Sequence, residues 1–180
     1  VLTTGEQDVI IVTHNGMSIR FNESDMRTQG RNTIGVRGIK LREGDYVVAL
    51  AVVQQDANLL VVSENGLGKR TPFDEYRPQS RGGIGIKTMN CTDKTGRVVS
   101  ATTVTDADEL MIMTTGGQSV RMKVDTIRET GRATQGVKLI TLDGKESIQE
   151  ITLVIPDDDE DEEEATETSE GDSAPADEAE

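Results

Sequence analysis

The chain has 180 residues, with 19 Lys and Arg against 33 Asp and Glu, and its formal net charge of −14 argues at first against a nucleic-acid-binding protein. Its apolar runs are too short for a membrane-spanning helix of about 20 residues, and its single cysteine excludes a disulfide framework or a Cys-rich zinc site and predicts a cytoplasmic protein. Residues 156–180, however, hold 14 of the acidic residues and no Lys or Arg, so residues 1–155 carry 19 charged residues of each sign. The chain is therefore a neutral body followed by an acidic tail.

The first two strands are predicted at residues 8–13 and 18–21, on either side of Asn15-Gly16. The first segment is rich in β-branched residues, and Asn-Gly supplies the positive φ angles of a tight hairpin turn. A polar loop then precedes a third strand, which is predicted at 35–41. A fourth strand at 46–53 is apolar almost throughout, which predicts burial on both of its faces.

The same pattern returns twice, at spacings of 50 and then 51 residues. The co-registered sets are Asn15-Gly16, Asn65-Gly66 and Gly116-Gly117; Arg20, Arg70 and Arg121; Arg31, Arg81 and Arg132; and Arg37, Lys87 and Lys138. The later strands are predicted at 59–63, 68–71, 85–91 and 98–105, and at 110–114, 119–124, 136–142 and 148–154.

Four short strands in a unit of this length are typical of a propeller blade. We therefore predict an all-β fold for residues 1–155, made of three four-stranded, propeller-like repeats over about 5–54, 55–105 and 106–155. A flat solenoid is the alternative geometry.

The register also bears on the first residues of the chain. A shift of 50 residues aligns Val1-Leu2 with Ala51-Val52, at the end of a fourth strand. Three blades do not close a ring and would leave open strand edges. We therefore expect further blades on the N-terminal side of Val1.

Basic residues concentrate in the same part of every repeat. Residues 17–42 carry a net charge of +4, residues 67–92 carry +3 and residues 118–143 carry +2. Because equivalent positions of neighbouring repeats lie on equivalent surfaces, this pattern predicts a continuous basic arc, and we interpret the arc as a track for a polyanion rather than as an ordinary solvated surface. The candidate DNA-binding residues are Arg20, Arg31, Arg37, Lys40, Lys69, Arg70, Arg81, Lys87, Arg121, Arg132 and Lys138.

Glycine-rich segments at 30–35, 81–85 and 131–136 lie within this arc. Glycine lets backbone N–H groups approach a phosphate closely, but it also serves bends between strands, and the two roles are compatible. None of the segments has the spacing of a nucleotide-binding P-loop.

Three segments carry a family resemblance: GRNTIGVRGIKL at 30–41, NGLGKRT at 65–71 and GRATQGV at 131–137. They resemble the C-terminal domain of the A subunit of bacterial DNA gyrase, and the resemblance covers the whole body and the acidic extension. It implies a six-bladed β-pinwheel, a propeller relative in which adjacent blades exchange strands, and this chain is similar to its last three blades. It also implies that double-stranded DNA wraps around a basic outer rim, which supports negative supercoiling by the parent type II topoisomerase.

The resemblance implies partners and cofactors as well. The expected partners are double-stranded DNA, the rest of the gyrase A subunit in a homodimer, and the gyrase B subunit in an A2B2 tetramer, with no membrane. ATP and Mg²⁺ are expected on other domains of the parent enzyme, and no cofactor on this chain.

The signature heptapeptide of the family's first blade, QRRGGKG, has only a degenerate counterpart at 79–85, QSRGGIG, so we expect this chain alone to wrap DNA poorly.

No group of residues in the sequence predicts an active site or a metal site, and the family's cleavage tyrosine belongs to a domain that this chain lacks. His14 is predicted to be a surface residue of a turn. Cys91 aligns with Leu41 and Leu142 and is predicted to be a small core residue, while Tyr76 is predicted at an apolar packing position.

Other functions stay open. The chain is also compatible with the C-terminal domain of the topoisomerase IV A subunit, with a protein-interaction propeller, and with a DNA mimic or a chaperone of basic proteins.

The tail at 156–180 is predicted to be disordered because of its composition. Such a tail keeps a protein soluble, and a second hypothesis is that it folds back onto the basic arc and competes with DNA.

Overall fold

The computed structural model describes residues 1–154, which form an all-β fold with three short 3-10 helices and no α-helix. The strands are β1 (Asp8–Thr13), β2 (Met17–Asn22), β3 (Val47–Val52), β4 (Asn58–Ser63), β5 (Leu67–Pro72), β6 (Ile86–Lys87), β7 (Val98–Val104), β8 (Glu109–Thr114), β9 (Ser119–Lys123), β10 (Val137–Lys138) and β11 (Ile148–Val154). The 3-10 helices are Glu23–Asp25, Phe73–Glu75 and Val124–Thr126. No helix in this part of the chain is long and apolar enough to cross a bilayer. The predicted all-β fold is confirmed, and the tail at 156–180 lies outside the described residues.

Each repeat is built on an antiparallel hairpin. In the first repeat, β1 pairs with β2 across the Asn15-Gly16 turn, and β3 pairs with the other edge of β1. Gly16 has a φ of +77°, and its N–H donates to the main-chain oxygen of Thr13 at 3.0 Å. The same arrangement joins β4 to β5 and β7, and β8 to β9 and β11. The hairpins predicted from the recurring turn residues are therefore present in all three repeats.

The sheets are completed by strands from the following repeat. Strand β6 of the second repeat pairs with β2 of the first, with Met17 opposite Lys87. Strand β10 of the third repeat pairs with β5 of the second, with Lys138 opposite Leu67. The resulting sheets have the strand orders β3-β1-β2-β6, β10-β5-β4-β7 and β11-β8-β9. The strand exchange between adjacent blades that the resemblance implies is thus present.

This exchange explains where the strand predictions are wrong. The segment predicted as a strand at 35–41 is not a strand, because the third strand of a repeat pairs with the preceding repeat and the described residues contain none before the first. The strands predicted at 85–91 and 136–142 shorten to two residues each, Ile86–Lys87 and Val137–Lys138. Four strands in every repeat is therefore correct for the second and third repeats only.

Most of the hydrophobic core lies between repeats, in two clusters that each combine neighbouring repeats. Side chains alternate along β4, so Leu59 and Val61 pack with the first repeat, whereas Leu60 and Val62 pack with the third. All four side chains are fully buried. Strand β4 is therefore buried on both faces, as is its hairpin partner β5. The prediction of two buried faces for the fourth strand of the first repeat is wrong, since Leu50 of β3 is 44% exposed.

Candidate nucleic-acid interface

The recurring arginine that follows the hairpin turn joins one repeat to the next in the first and second repeats. The Nε of Arg20 donates to a carboxylate oxygen of Asp8 at 2.8 Å, which orients the guanidinium. Its Nη1 then donates to the main-chain oxygens of Phe73 at 2.9 Å and Tyr76 at 3.3 Å. These oxygens lie in the 3-10 segment of the second repeat, so the charge of Arg20 is directed into an inter-repeat contact.

Arg70 makes the equivalent contact one repeat later. Its Nε donates to the main-chain oxygen of Ile127 at 2.7 Å and its Nη2 to that of Asp125 at 3.3 Å. Its Nη1 forms an ion pair with Asp106. Arg70 is only 7% exposed. The selection of Arg20 and Arg70 as phosphate contacts is therefore not supported by their geometry, because both guanidiniums are occupied by the next repeat.

Arg121 occupies the same position in the third repeat. It forms an ion pair with Glu109 of the neighbouring strand β8, and its side chain is 49% exposed. The same residue type is thus buried at one repeat junction and largely accessible at the end of the described chain.

Lys69 is a third candidate whose predicted surface role is wrong. Its side chain is fully buried. The Nζ donates to the main-chain oxygens of Gly131, at 2.8 Å, and Arg132, and to Oγ1 of Thr134 at 3.3 Å. Burial lowers the pKa of Lys69 to about 8. An ammonium enclosed in this way does not reach a phosphate, so Lys69 does not belong to an outer surface.

The remaining candidates are exposed or half-buried, and contacts between repeats place them side by side. Arg81 donates from Nη1 to the main-chain oxygen of Arg37 at 3.4 Å. One repeat later, Arg132 donates from Nη1 to the main-chain oxygen of Lys87 at 2.8 Å. In each pair, an arginine of one repeat lies against an exposed basic residue of the preceding repeat. The Lys40 N–H also donates to the oxygen of Gly83 at 2.8 Å, across the same junction.

These contacts define a basic rim, by which we mean the cations of two co-registered sets, those that begin with Arg31 and with Arg37, together with Lys40. Five of its members are exposed, and Arg81 and Arg132 are half-buried. The basic rim consists of Arg31, Arg37, Lys40, Arg81, Lys87, Arg132 and Lys138.

Two glycines allow this close approach of repeats. A Cβ at Gly85 would lie 2.2 Å from the main-chain oxygen of Ser18, and one at Gly136 would lie 2.6 Å from that of Gly68. Both glycines have positive φ, +72° and +81°. These two residues are therefore required by packing between backbones, which accounts for part of the glycine pattern without a ligand.

A basic cleft between the first two repeats contains residues that the sequence did not single out. It has a volume of about 270 Å³, and Arg42, Lys87 and Arg97 line it together with Asn15, Asn90 and Cys91. In the strand pairing, Tyr46 and Ser147 occupy the position equivalent to Arg97 in the other repeats. Neither residue is basic, so the repeat pattern gives no signal for Arg97. Arg42 belongs to the most basic window of the sequence and was recognisable from charge alone.

The thiol of Cys91 reports on this cleft. Cys91 packs against the core but is only half-buried, so its prediction as a core residue is correct only in part. Burial raises the pKa of the Cys91 thiol, and the nearby cations Arg97 and Lys87 oppose that increase. The cations of the cleft are thus close enough to act on the thiol electrostatically.

His14 and Tyr76 have structural surroundings. The Nδ1 of His14 lies 3.0 Å from the main-chain oxygen of Val98, and its ring stacks on Tyr46 with centroids 4.4 Å apart, so it joins two repeats rather than only occupying a surface turn. Tyr76 is 1% exposed, which confirms its packing position, and its hydroxyl lies 2.7 Å from Oγ1 of Thr88. Residues 1–154 hold no group of three or more His, Cys, Asp or Glu arranged to bind a metal ion.

Similarity to known proteins extends over nearly the whole described chain. It matches the family described as DNA gyrase C-terminal domain, beta-propeller, in three segments, 7–54, 57–105 and 108–154. It is 44% identical to the DNA gyrase A subunit of Staphylococcus epidermidis over 160 residues, which cover 88% of this chain and 18% of that protein. The chain therefore spans under a fifth of the length of this relative.

Solved structures show the same fold. A DNA gyrase A C-terminal domain superposes with a TM-score of 0.79 at 31% identity, covering 85% of this chain and 52% of that one. The C-terminal domain of a DNA topoisomerase IV superposes with a TM-score of 0.80 at 25% identity, covering 86% of this chain and 48% of that one. Since the three matched segments each contain one hairpin repeat, this chain belongs to the DNA gyrase C-terminal domain family of β-propeller repeats.

Proposed function

We propose that this chain binds double-stranded DNA along the basic rim and bends it around the edge of the repeats. The observation that supports this most strongly is the pair of co-registered contacts from Arg81 to Arg37 and from Arg132 to Lys87. Each contact places an arginine guanidinium of one repeat against the backbone at a basic residue of the preceding repeat. A band of charge that continues across repeat junctions suits a long polyanion better than a small anion.

The binding is electrostatic and geometric. Bending a duplex by 40–90° costs about 1–6 kcal/mol by elastic estimates, and contacts spread along a curved basic surface offset that cost. Affinity comes from the release of counterions from phosphates, so it is nearly independent of base sequence and falls steeply with salt. The chain performs no bond-breaking step in this proposal.

The test is a titration of the chain, residues 1–180, with a random-sequence duplex at several salt concentrations. Replacing Arg37, Lys87 and Lys138 together by Ala removes one exposed cation from each repeat. The slope of log affinity against log salt should fall by about three, because each lost phosphate contact lowers it by about one. The exposed Lys145, which lies outside the basic rim, provides the control: Lys145→Ala should leave the slope almost unchanged.

Two results would oppose the proposal. An unchanged slope in the triple variant would place the DNA elsewhere, and weak binding without salt dependence would favour a protein-interaction propeller or, with binding of basic proteins instead, a DNA mimic or chaperone. Ligation of nicked circular DNA in the presence of the chain measures wrapping separately. A shift in linking number indicates a wrapped path, and binding without a shift indicates simple bending.

At the level of the whole protein, we propose that the chain acts within the gyrase A subunit, which forms a homodimer and joins the B subunit in an A2B2 tetramer in the cytoplasm. ATP and Mg²⁺ are then used on other domains. The topoisomerase IV alternative is kept because that enzyme's domain superposes about as well as the gyrase domain, with a TM-score of 0.80 against 0.79, although at 25% identity against 31%. The two are distinguished by assaying the complete protein with its partner, ATP and relaxed DNA. Introduction of negative supercoils supports gyrase, and their absence supports topoisomerase IV.

A further inference from the structure

The buried ammonium of Lys69 lies beneath one loop of the third repeat. Its Nζ contacts three oxygens of residues 131–134, two from the main chain and one from Thr134. The side chain belongs to β5 of the second repeat, so these bonds cross a repeat junction. Among the ion pairs of residues 1–154, none includes Lys69. The hydrogen bonds to the ammonium therefore come from dipoles of this loop and not from a direct ion pair with a carboxylate.

The equivalent positions of the other repeats are apolar. Ile19 stands at this position in the first repeat and Val120 in the third. A side chain of that kind is sufficient for packing on a strand of a blade, whereas burial of an ammonium carries a desolvation cost that hydrogen bonds must offset. A lysine at this position is therefore not explained by packing alone. Its three hydrogen bonds indicate that it serves to hold the loop 131–134.

The loop held by Lys69 carries a residue of the basic rim. The main-chain oxygen of Arg132 is itself one of the acceptors of Lys69, while the Arg132 guanidinium donates to Lys87. Two further bonds hold the loop ends: Thr71 donates to the oxygen of Thr130 at 2.9 Å, and the Asn90 N–H donates to that of Thr134 at 3.0 Å. Lys69 thus binds the centre of the loop, at the main-chain oxygens of Gly131 and Arg132.

We propose that Lys69 is a positioning residue for DNA binding: it fixes the loop 131–134 so that the guanidinium of Arg132 stays beside Lys87 on the basic rim. This inference rests on the proposed function, because its consequence for affinity requires DNA on that rim. Its effect on the stability of the loop 131–134 does not require DNA. The effect on the loop and the effect on DNA affinity are therefore measured separately.

The pKa of Lys69 makes the docking of the loop 131–134 onto the second repeat depend on pH. Burial, and after it the charge of Arg132, lower the pKa of Lys69 to about 8, while Glu75 and Cys91 oppose the shift. When the loop is lifted and the amine is solvated, its pKa returns towards 10.5. The docked state then binds fewer protons than the lifted state, so docking strengthens as pH rises above about 8 and up to about 10.5.

The neighbouring titratable groups do not obscure this pH dependence. Burial raises the pKa values of both the Tyr76 hydroxyl and the Cys91 thiol, so both groups lose their protons at a higher pH than usual. The other charged groups that act on Lys69 are Arg132 and Glu75. Lys69, with a pKa of about 8, is therefore the group at this junction whose charge changes most between pH 7 and 9.

The experiment combines Lys69→Met, which keeps the length of the side chain, with Arg132→Ala and the double variant in the full chain. Hydrogen exchange of amides 131–134 measures docking without DNA, and titration with a random-sequence duplex measures affinity. At pH 7, Lys69→Met should lower amide protection about tenfold and DNA affinity about fivefold. In the Arg132→Ala background, Lys69→Met should cause no further loss of affinity. The exposed Lys145→Met serves as the matched control for loss of charge.

Between pH 7 and pH 9, protection of the loop in the unmodified chain should rise by on the order of tenfold, and the rise should disappear in Lys69→Met. Equal protection in both proteins, or independent losses from Lys69→Met and Arg132→Ala, would overturn the positioning role. Loss of folding in Lys69→Met, seen as exchange throughout the chain, would assign Lys69 to general stability and also overturn it. If the unmodified chain shows no salt-dependent DNA binding, the proposed function fails, while the exchange result still decides the role of Lys69 in the loop.

Discussion

The Nε of Arg70 donates to the main-chain oxygen of Ile127 at 2.7 Å, and this bond joins the second strand of one repeat to the 3-10 segment of the next. Arg20 donates from Nη1 to the main-chain oxygen of Tyr76, the residue equivalent to Ile127, at 3.3 Å. The recurrence of arginine at positions 20 and 70 is thus explained by hydrogen bonds between repeats, without a ligand. The physical reason is that a carbonyl group at the end of a 3-10 turn lacks an internal donor, and a guanidinium supplies several.

Replacement of Arg70 by Ala should lower the free energy of unfolding by about 3 kcal/mol, because it leaves the buried carbonyl group of Ile127 without this donor and also removes the bonds to Asp125 and Asp106. The matched control is Arg121→Ala at the equivalent position, which removes a partly exposed ion pair and should cost about 0–1 kcal/mol. Urea denaturation of both variants measures the difference. Equal losses would show that the inter-repeat bonds of Arg70 contribute little.

Replacement of Gly85 by Ala should destabilise the chain by about 2 kcal/mol or more, since positive φ is strained for Ala and the new Cβ would collide with the backbone at Ser18. Gly35 is the matched control, with a φ of +84° and no atom within 4 Å of the position that a Cβ would occupy. Gly35→Ala should therefore cost only the conformational term, about 1 kcal/mol. Thermal denaturation of the two variants separates the strain from the collision. A cost at Gly85 no greater than at Gly35 would contradict the close approach of backbones.

Replacement of Arg97 by Ala should reduce the salt slope of DNA binding by about one, if the basic cleft accepts a phosphate of the duplex. Arg97 is exposed and lines the cleft with Arg42 and Lys87. The measurement is the same titration at several salt concentrations, and Lys145→Ala again controls for the loss of one positive charge. Binding and slope identical to those of the unmodified chain would show that DNA passes outside the cleft.

Alkylation of Cys91 should be slower than that of an unhindered thiol at pH 8, and its rate should rise at a higher pH than usual. The reason is that burial raises the pKa of the thiol, so less thiolate is present at a given pH. Mass spectrometry after treatment with iodoacetamide measures the rate, and the urea-unfolded chain is the control. Addition of duplex DNA should slow the reaction further if DNA covers the cleft. A folded chain that reacts as fast as the unfolded one would show that the thiol is not shielded.

Much of the fold was predictable because its determinants are local. The Asn15-Gly16 turn and the alternating apolar residues beside it specify a hairpin wherever they recur, and β1 and β2 lie within two residues of their predicted bounds. The third strand was not predictable in the same way. Its sequence at 35–41 is similar to that at 85–91, yet only the second segment contributes a strand, because pairing requires the hairpin of a preceding repeat.

The candidate site, like the fold, was predictable in part from local sequence and depended for the rest on contacts between repeats. The sequence by itself determined the three repeats, their hairpins and the concentration of basic residues in one part of each repeat, since turn chemistry, alternation and charge are properties of neighbouring residues. Only the tertiary structure decided that Lys69 and Arg70 lie inside a junction, whereas Lys87 lies outside. Burial depends on which repeat packs against the side chain, and that contact joins residues about 60 positions apart, as between Lys69 and Gly131.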